Sequence, residues 1–295
     1  MTAGMLGLIF QGAAEGTLLT AAAAGVVWIA AGSFIWSSFP ETGNTGRLML
    51  IAAGLFAAVF LSALGASFRE CWPTAGNSTF LWWAVLVMAA VSASRGKNKA
   101  CCPGGPLVWI IGLLLTGILI AAVRQYRSFS LNMQIKWKMP HRSLLLAILL
   151  FIPAAGLKSK KVSLPKTVLW GIPILTAVTP FLSAVLLPEK IREGRMMYFS
   201  RCLHLDGIAE RFEALVSAGL TMSVFAAGSL VLCFAGEEIR KRRPSFTQKG
   251  IWLIAVFSAA LNMYPEIEEY CSGIAAVIGA ILTLYAAYKN NVKKW

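Results

Sequence analysis

The chain has 295 residues, of which 57% are hydrophobic and only 14% are charged, and its mean hydropathy is +0.68. Soluble domains have roughly 45–50% apolar and about 25% charged residues, so the composition excludes an ordinary soluble protein and favours a lipid bilayer as the surroundings of the chain. The formal net charge of +14 comes from lysines and arginines in short loops, as expected of a membrane protein. The basic residues are not interleaved with aromatic residues as in a nucleic-acid-binding groove, so we do not expect nucleic-acid binding.

Apolar stretches that could span a bilayer recur along the whole chain. A spanning helix needs about 20 predominantly apolar residues. In chain order the sequence predicts an apolar fragment at 5–14 and then nine helical segments, at 17–36, 48–68, 80–94, 107–123, 143–156, 167–187, 214–236, 251–264 and 273–288. Three of them, 80–94, 143–156 and 251–264, are short for a span, so they could be tilted, re-entrant or buried among neighbours. The predicted fold is an all-α, polytopic transmembrane bundle of about nine to ten helices.

The charges in the loops predict the orientation of this single transmembrane domain, residues 1–295. Lysine and arginine are enriched in cytoplasmic loops, which places the basic tail 289–295 and the stretch 237–243 inside. An acidic turn with Glu266, Glu268 and Glu269 between the last two helices is then expected outside, and alternation places the basic loops 95–99 and 158–166 inside. The basic stretch 124–142 falls outside, so either it breaks the bias or segment 143–156 does not cross fully. The C-terminus is predicted to be cytoplasmic.

The sequence contains no pattern typical of an enzyme, a metal site or a cofactor site. His141 and His204 lie in basic loops without a serine or cysteine motif, no phosphate-binding glycine loop occurs, and the six cysteines lack the spacing of a zinc site. The predicted apolar segments contain no carboxylate or lysine, which argues against an intramembrane proton path. We therefore expect no enzyme activity, no metal and no cofactor. Cys233 and Cys271 are expected to be small apolar fillers inside helices.

Mild polar side chains occur in two of the predicted helices. Segment 167–187 contains Thr176 and Thr179 beside two prolines, and segment 214–236 is rich in small residues and contains Thr221. Small residues let helices approach closely, which gives these positions a packing role. The alternative is a helix that lines a substrate path, with Thr176, Thr179 and Thr221 as candidate substrate-binding residues. Because no charge accompanies them, the packing interpretation is favoured.

Residues 204–215, HLDGIAERFEAL, gather four charged side chains directly before an uncharged segment. Asp206, Glu210 and Glu213 fit a helix start, because carboxylates in a first turn complement the positive end of the helix dipole. Arg211 is set about 100° from Glu210 around the helix, so it is free to reach a neighbouring loop or helix. The structural interpretation is a helix start at the membrane interface, with Arg211 anchoring the preceding loop. The functional interpretation makes Glu210 and Arg211 an outer gate or a contact to a partner subunit.

The string IAERFEALVSAGL resembles a motif of the spore germination permease family, the multi-spanning subunits of germinant receptors in spore-forming bacteria. In that family an E-R-[LIF]-E sequence commonly opens the eighth helix. Two further matches keep the family's order: WSSFPETG at 36–43 resembles the end of its second helix, and WPTAGNSTFLWWAVLVMAAVSASRG at 72–96 resembles its third-to-fourth connection. The resemblance covers about residues 15 to 290. Each motif is short, so it is their shared order that carries the resemblance.

The resemblance implies a fold similar to the amino acid–polyamine–organocation transporters, with two inverted five-helix repeats. In such folds the first and sixth helices are broken, and substrate binds where their backbone unwinds. The repeats would be 15–125 and 143–288, with 1–14 as a remnant of an incomplete first helix and 289–295 as a basic cytoplasmic tail. The sequence departs from the family at the first helix and at the sixth, because 143–156 is short and lacks the expected break.

The resemblance also implies a function in the bacterial inner membrane, with the inner membrane of the spore as one possible location. As a germinant-receptor subunit the chain would sense a small germinant such as an amino acid, in contact with membrane lipid, a partner membrane subunit and a lipoprotein. Two alternatives stay open. The first is a degenerate, non-transporting membrane scaffold, and the second is an ordinary amino acid transporter.

Overall fold

The computed structural model describes residues 18–39, 47–70, 78–96, 142–158 and 212–292. These residues are helical apart from short turns, and no strand occurs among them, so the predicted all-α class is confirmed for this part of the chain. The helices are α1 (Leu18–Ser38), α2 (Arg47–Glu70), α3 (Ser78–Ser94), α4 (Arg142–Leu149), α5 (Phe151–Gly156), α6 (Phe212–Arg240), a 3-10 helix (Pro244–Phe246), α7 (Thr247–Leu261) and α8 (Pro265–Val292).

Most of the predicted segments coincide with these helices. Segment 143–156 forms α4 and α5, which follow each other with only Leu150 between them. Segments 107–123 and 167–187 and the fragment 5–14 lie outside the described residues. Three of the described helices are long and apolar enough to cross a membrane, namely Arg47–Arg69, Ser217–Arg240 and Tyr270–Asn290. Their length and composition are compatible with a membrane protein.

The predicted acidic turn before the last helix is wrong. Helix α8 begins at Pro265 and includes the positions of Glu266, Glu268 and Glu269, whereas the apolar pattern predicted a start at Gly273. Proline is favoured in the first turn of a helix because its missing N–H would have no partner there. Negative charge in the first turn is favourable as well. The helix therefore starts about two turns before its apolar stretch.

Helices α2 and α6 form the centre of the described bundle. In the most apolar stretch of each helix, 67% of the residues are buried in α2 and 72% in α6, compared with 33% in α8. Gly228 of α6 lies against Leu61 of α2 and Ala89 of α3, at 3.4 and 3.5 Å from the position of an added Cβ. Small residues at helix contacts are typical of membrane bundles, where close packing drives association.

Helix α8 lies at the edge of the bundle and exposes an apolar face. The exposed side chains recur at helical spacing, at Ile274, Val277, Ile281 and Leu284. A helix that is apolar on its outer face as well as its inner face is typical of a lipid environment. This face is therefore consistent with contact to lipid tails.

Several helices end together at one end of the bundle. The ammonium group of Lys158 donates to the carbonyl oxygen of Trp36 at 2.8 Å and lies 5.7 Å from the centre of the Trp36 ring. The side-chain amide of Asn290 donates to the carbonyl oxygen of Ser37 at 3.4 Å. The ends of α1, α5 and α8 are therefore neighbours.

The end of α6 and the starts of α2 and α7 lie at this same end. Phe39, directly after α1, packs edge-on against Phe234 of α6, with ring centroids 6.4 Å apart. Helix α2 runs alongside α7 in the same direction, since Gly54 contacts Ile254 and Ser62 contacts Asn262. We call this end the basic end, because it gathers the following cations from six elements: Arg47, Lys158, Arg240, Lys241, Arg242, Arg243, Lys249 and Lys289.

Candidate functional site

Most of the predicted site residues lie outside the described part of the chain. This applies to Thr176, Thr179, Asp206, Glu210 and Arg211. Their assignments as gate, substrate-binding or helix-start residues therefore stay predictions.

Two predicted residues lie in helix α6, which is described from Phe212 onward. The position of Glu213 is in the first turn of α6. Thr221 is half-buried, and its hydroxyl donates to the carbonyl oxygen of Ser217 at 2.8 Å. The Thr221 hydroxyl is thus already engaged within its own helix.

Other hydroxyls of the bundle interior make the same kind of bond. Ser223 donates to the carbonyl oxygen of Gly219 at 2.7 Å, and Thr283 donates to that of Gly279 at 2.8 Å. Hydroxyl donation to the carbonyl four residues earlier is a common arrangement in helices. These bonds satisfy the hydroxyl donors inside an apolar bundle without a ligand.

A buried polar cluster joins three helices at the end opposite the basic end. With the amide of Asn262 oriented so that both of its atoms find partners, its Oδ1 accepts a hydrogen bond from the Trp82 indole N–H at 2.7 Å. Its Nδ2 donates to the Ser62 carbonyl oxygen at 3.0 Å and lies 3.1 Å from the Ser62 hydroxyl. All three residues are at most 3% exposed. We call Ser62, Trp82 and Asn262 the Asn262 cluster.

Two further residues of α2 pack against the Asn262 cluster. Gly65 approaches so closely that an added Cβ would lie 2.6 Å from the Trp82 ring and 2.7 Å from the Asn262 amide. The guanidinium of Arg69 donates to the main-chain oxygen of Asn262 at 3.5 Å. Ser62, Gly65 and Arg69 are spaced at i, i+3 and i+7, so they share one face of α2.

The side chains of the Asn262 cluster are suited to hold helices together by hydrogen bonds. An amide, an indole and a hydroxyl can exchange hydrogen bonds, but they supply neither a nucleophile with a base nor a set of metal ligands. The hydroxyl of Ser258, one turn before Asn262 on α7, is fully buried, and no residue in the described part of the chain bonds it. Within the described chain no group of three His, Cys, Asp or Glu residues could hold a metal ion.

The two described cysteines are buried in helices. Cys233 lies in α6, and Cys271 in α8 donates its thiol to the carbonyl oxygen of Ile267 at 3.3 Å. Both fit the predicted role of a small filler. The other four, Cys71, Cys101, Cys102 and Cys202, lie outside the described residues.

One carboxylate lies buried just beyond a predicted apolar segment, at Glu238. Helix α6 continues past the predicted end at Gly236 to Arg240, because glutamate, isoleucine and arginine all tolerate a helix well. This extension leaves Glu238 only 2% exposed. Lys241 donates to its Oε1, while its Oε2 has no hydrogen-bond partner among the described residues.

A second ion pair at the same helix end is more exposed. Glu237 and Arg240 are 3.2 Å apart, with side chains 18% and 57% exposed. The corresponding values for Glu238 and Lys241 are 2% and 38%. The end of α6 thus carries two carboxylate–cation pairs with the same spacing and different burial.

Comparison with known proteins adds no relative to these observations. No protein-family model matches the chain, and neither does any curated protein. Any family assignment is therefore a proposal. It must be supported by the residues and by the geometry of the helices.

Proposed function

We propose that the chain is a polytopic inner-membrane protein similar to the spore germination permeases. It has about nine to ten helices in two five-helix repeats, and it binds a small germinant such as an amino acid as one subunit of a germinant receptor. The ordered motifs in the sequence support this proposal. So do the three candidate spans of the described chain.

The observation that carries the proposal is the position of α6. This helix begins within the IAERFEAL motif, at Phe212, and is the most buried of the three candidate spans. It packs against α2, α3, α5 and α7. In transporters with repeated halves, substrate binds near the middle of the membrane between the repeats. A central helix that touches most of its neighbours is suited to pass a binding event on to a partner subunit.

The basic end supports an orientation with the C-terminus in the cytoplasm. Cytoplasmic loops carry an excess of lysine and arginine, and α8 ends at the basic end. The Asn262 cluster and the start of α8 then face outward. A reporter fused after Trp295 should be active only in the cytoplasm, and one inserted between Met263 and Tyr264 only outside. Activity of the Trp295 fusion on the outer face would contradict the proposed orientation.

Substitution of Arg211 tests the germinant-receptor function. The test uses spores that carry the variant as the sole copy of the gene, with both membrane abundance and the germination response to single amino acids measured. Arg211→Ala should leave abundance unchanged and abolish the response if Arg211 is a gate or a partner contact. Arg47→Ala, which removes an exposed arginine at the start of α2 and outside the quoted motifs, is the matched control and should behave as the unmodified chain.

The other outcomes of this experiment are equally informative. Loss of the Arg211→Ala protein from the membrane would assign Arg211 to the structural helix start. Full abundance with a normal response would contradict both roles of Arg211. No amino acid response in spores with the unmodified chain, compared with spores that lack it, would refute the germinant-receptor function.

A non-transporting scaffold is the second candidate function. It is favoured by the closed interior of the described bundle, where the hydroxyls of Thr221, Ser223 and Thr283 bond within their own helices and glycines contact aromatic rings. Gly32, for example, lies so near Phe151 that an added Cβ would be 2.7 Å from the ring. A scaffold should maintain the amount of its partner subunit without binding amino acids. Uptake of labelled amino acid into vesicles would instead indicate the third possibility, an ordinary transporter.

A further inference from the structure

The short connection between α6 and α7 concentrates exposed cations around one exposed aromatic ring. We call residues 240–249 the basic hairpin. Within it Lys241, Arg242, Arg243 and Lys249 are exposed, and the ring of Phe246 is 42% exposed. The connection is a single 3-10 turn, Pro244–Phe246. This arrangement brings positive charge and apolar surface together at the basic end.

The backbone of the basic hairpin is held in place by close helix packing. An added Cβ on Gly236 would lie 2.8 Å from Ile251, and one on Gly250 would lie 2.6 Å from Ile239, so the two glycines let α6 and α7 approach closely. The N–H of Arg243 donates to the Ile239 carbonyl oxygen at 2.8 Å. The cations are therefore presented from a fixed scaffold, which lowers the entropy lost when an anion binds.

Part of the positive charge of the basic hairpin has no ion-pair partner among the described residues. Arg240 and Lys241 pair with Glu237 and Glu238. The side chains of Arg243 and Lys249 make no ion pair with any residue of the described chain. An anion from outside the chain can therefore approach these two cations.

The apolar surface of α7 indicates where the basic hairpin lies relative to a bilayer. Directly after Lys249 this helix exposes Trp252, Leu253, Val256 and Phe257, which are suited to lipid tails. Cations at the edge of such a surface lie at the level of the lipid headgroups. An aromatic ring among cations is typical of segments bound at this interface.

We propose that the basic hairpin is a binding site for anionic phospholipid, with Arg243 and Lys249 on the headgroup phosphate and Phe246 against the glycerol and upper acyl chain. This site is independent of the proposed germinant. Through this site, the lipid composition on the proposed cytoplasmic side would affect the packing of α6 against α7. The ligand class is a phosphodiester lipid that carries a net negative charge.

Lipid binding to the purified full-length chain tests this site. The probes are short-chain fluorescent phosphatidylglycerol and phosphatidylcholine with the same acyl chains, followed by fluorescence anisotropy in neutral detergent at 0.15 M salt. We expect phosphatidylglycerol to bind more tightly. Each removed cation should weaken its binding about fivefold, so the affinity of the double variant Arg243→Gln/Lys249→Gln should fall about 25-fold.

Three further variants make this experiment decisive. Arg95→Gln removes an exposed cation outside the basic hairpin and should leave the affinity unchanged. Phe246→Ser should weaken both lipids to a similar extent, because the ring contacts the part that they share. The charge-retaining variant Arg243→Lys/Lys249→Arg should bind as the unmodified chain does, which separates loss of charge from loss of fold.

Several results would overturn the proposal. These are equal affinity for the two lipids, unchanged affinity of the double glutamine variant, or displacement of the lipid by a few equivalents of inorganic phosphate, which would indicate a site for the free anion. Germination plays no part in the measurement. A failed germinant proposal and a failed lipid site are therefore distinguished.

Discussion

Gly65→Ala should lower the free energy of unfolding of the bundle by about 3 kcal/mol. The added methyl group would lie 2.6 Å from the Trp82 ring, well inside van der Waals contact, and Trp82 is fully buried. Either α2 and α3 separate, or the ring turns and the hydrogen bond from its N–H to Asn262 is lost. Overpacking alone costs about 1–3 kcal/mol, and an unsatisfied buried donor costs about 1–3 kcal/mol more.

The control for this prediction lies on the same helix. An added Cβ at Gly54 would meet only the Ile254 side chain, at 4.0 Å, and alanine is favoured over glycine inside a helix by about 1 kcal/mol. Gly54→Ala should therefore leave stability unchanged or raise it. Both variants are compared by thermal unfolding of the detergent-solubilised chain. A Gly65→Ala protein as stable as Gly54→Ala would show that the Asn262 cluster does not hold α2 against α3.

Lys241→Ala should destabilise the chain by about 2 kcal/mol. The substitution removes the partner of a carboxylate that is 2% exposed, and an uncompensated buried charge is strongly unfavourable. Because the Lys241 side chain is 38% exposed, water weakens the pair, and the expected loss lies below the 3–5 kcal/mol of a fully buried one. The measurement is the unfolding midpoint in a mild detergent at neutral pH.

Arg240→Ala is the matched comparison, since it breaks a pair with the same spacing on the same helix. Both side chains of the Arg240–Glu237 pair are more exposed than those of the Lys241–Glu238 pair, and exposed pairs contribute about 0–1 kcal/mol to stability. Adding Glu238→Leu to Lys241→Ala should restore stability, because an apolar side chain of similar volume needs no partner. Equal effects of the two alanine variants, or no rescue by leucine, would mean that the burial of Glu238 does not determine the strength of its pair.

The positions of the helices could be predicted from sequence because apolar length is a strong pattern. Helices α2, α6 and α8 each contain such a stretch, and each was predicted. The ends of α6 and α8 were not predicted, because glutamates continue a helix as readily as apolar residues do. A pattern that follows hydrophobicity places Glu238 and Glu266 in loops for this reason. Because Glu238 was placed in a loop, its burial was not predicted either.

The Asn262 cluster could not be predicted from the sequence. Its members come from three helices, and Ser62 and Asn262 are 200 residues apart. A serine, a tryptophan and an asparagine at separate positions in apolar stretches each have an ordinary role as packing or as a helix end. The spacing of Ser62 and Gly65 was the one local indication, because small residues on one face predict a close approach of another helix. Only the packing of α7 and α3 against α2 shows that Asn262 and Trp82 are the side chains that approach this face of α2.

The long sequence separation within the Asn262 cluster has a consequence for the synthesis of the protein. Ser62 and Trp82 leave the ribosome about 10 to 40 s before Asn262 at ordinary translation rates. During this interval the indole N–H of Trp82 has no Asn262 to bond, and an unsatisfied polar group in the hydrocarbon core is costly. In the proposed membrane location, the early helices therefore stay incompletely assembled until α7 has been synthesised. A chain that stalls before α7 would leave the Trp82 indole N–H without this partner.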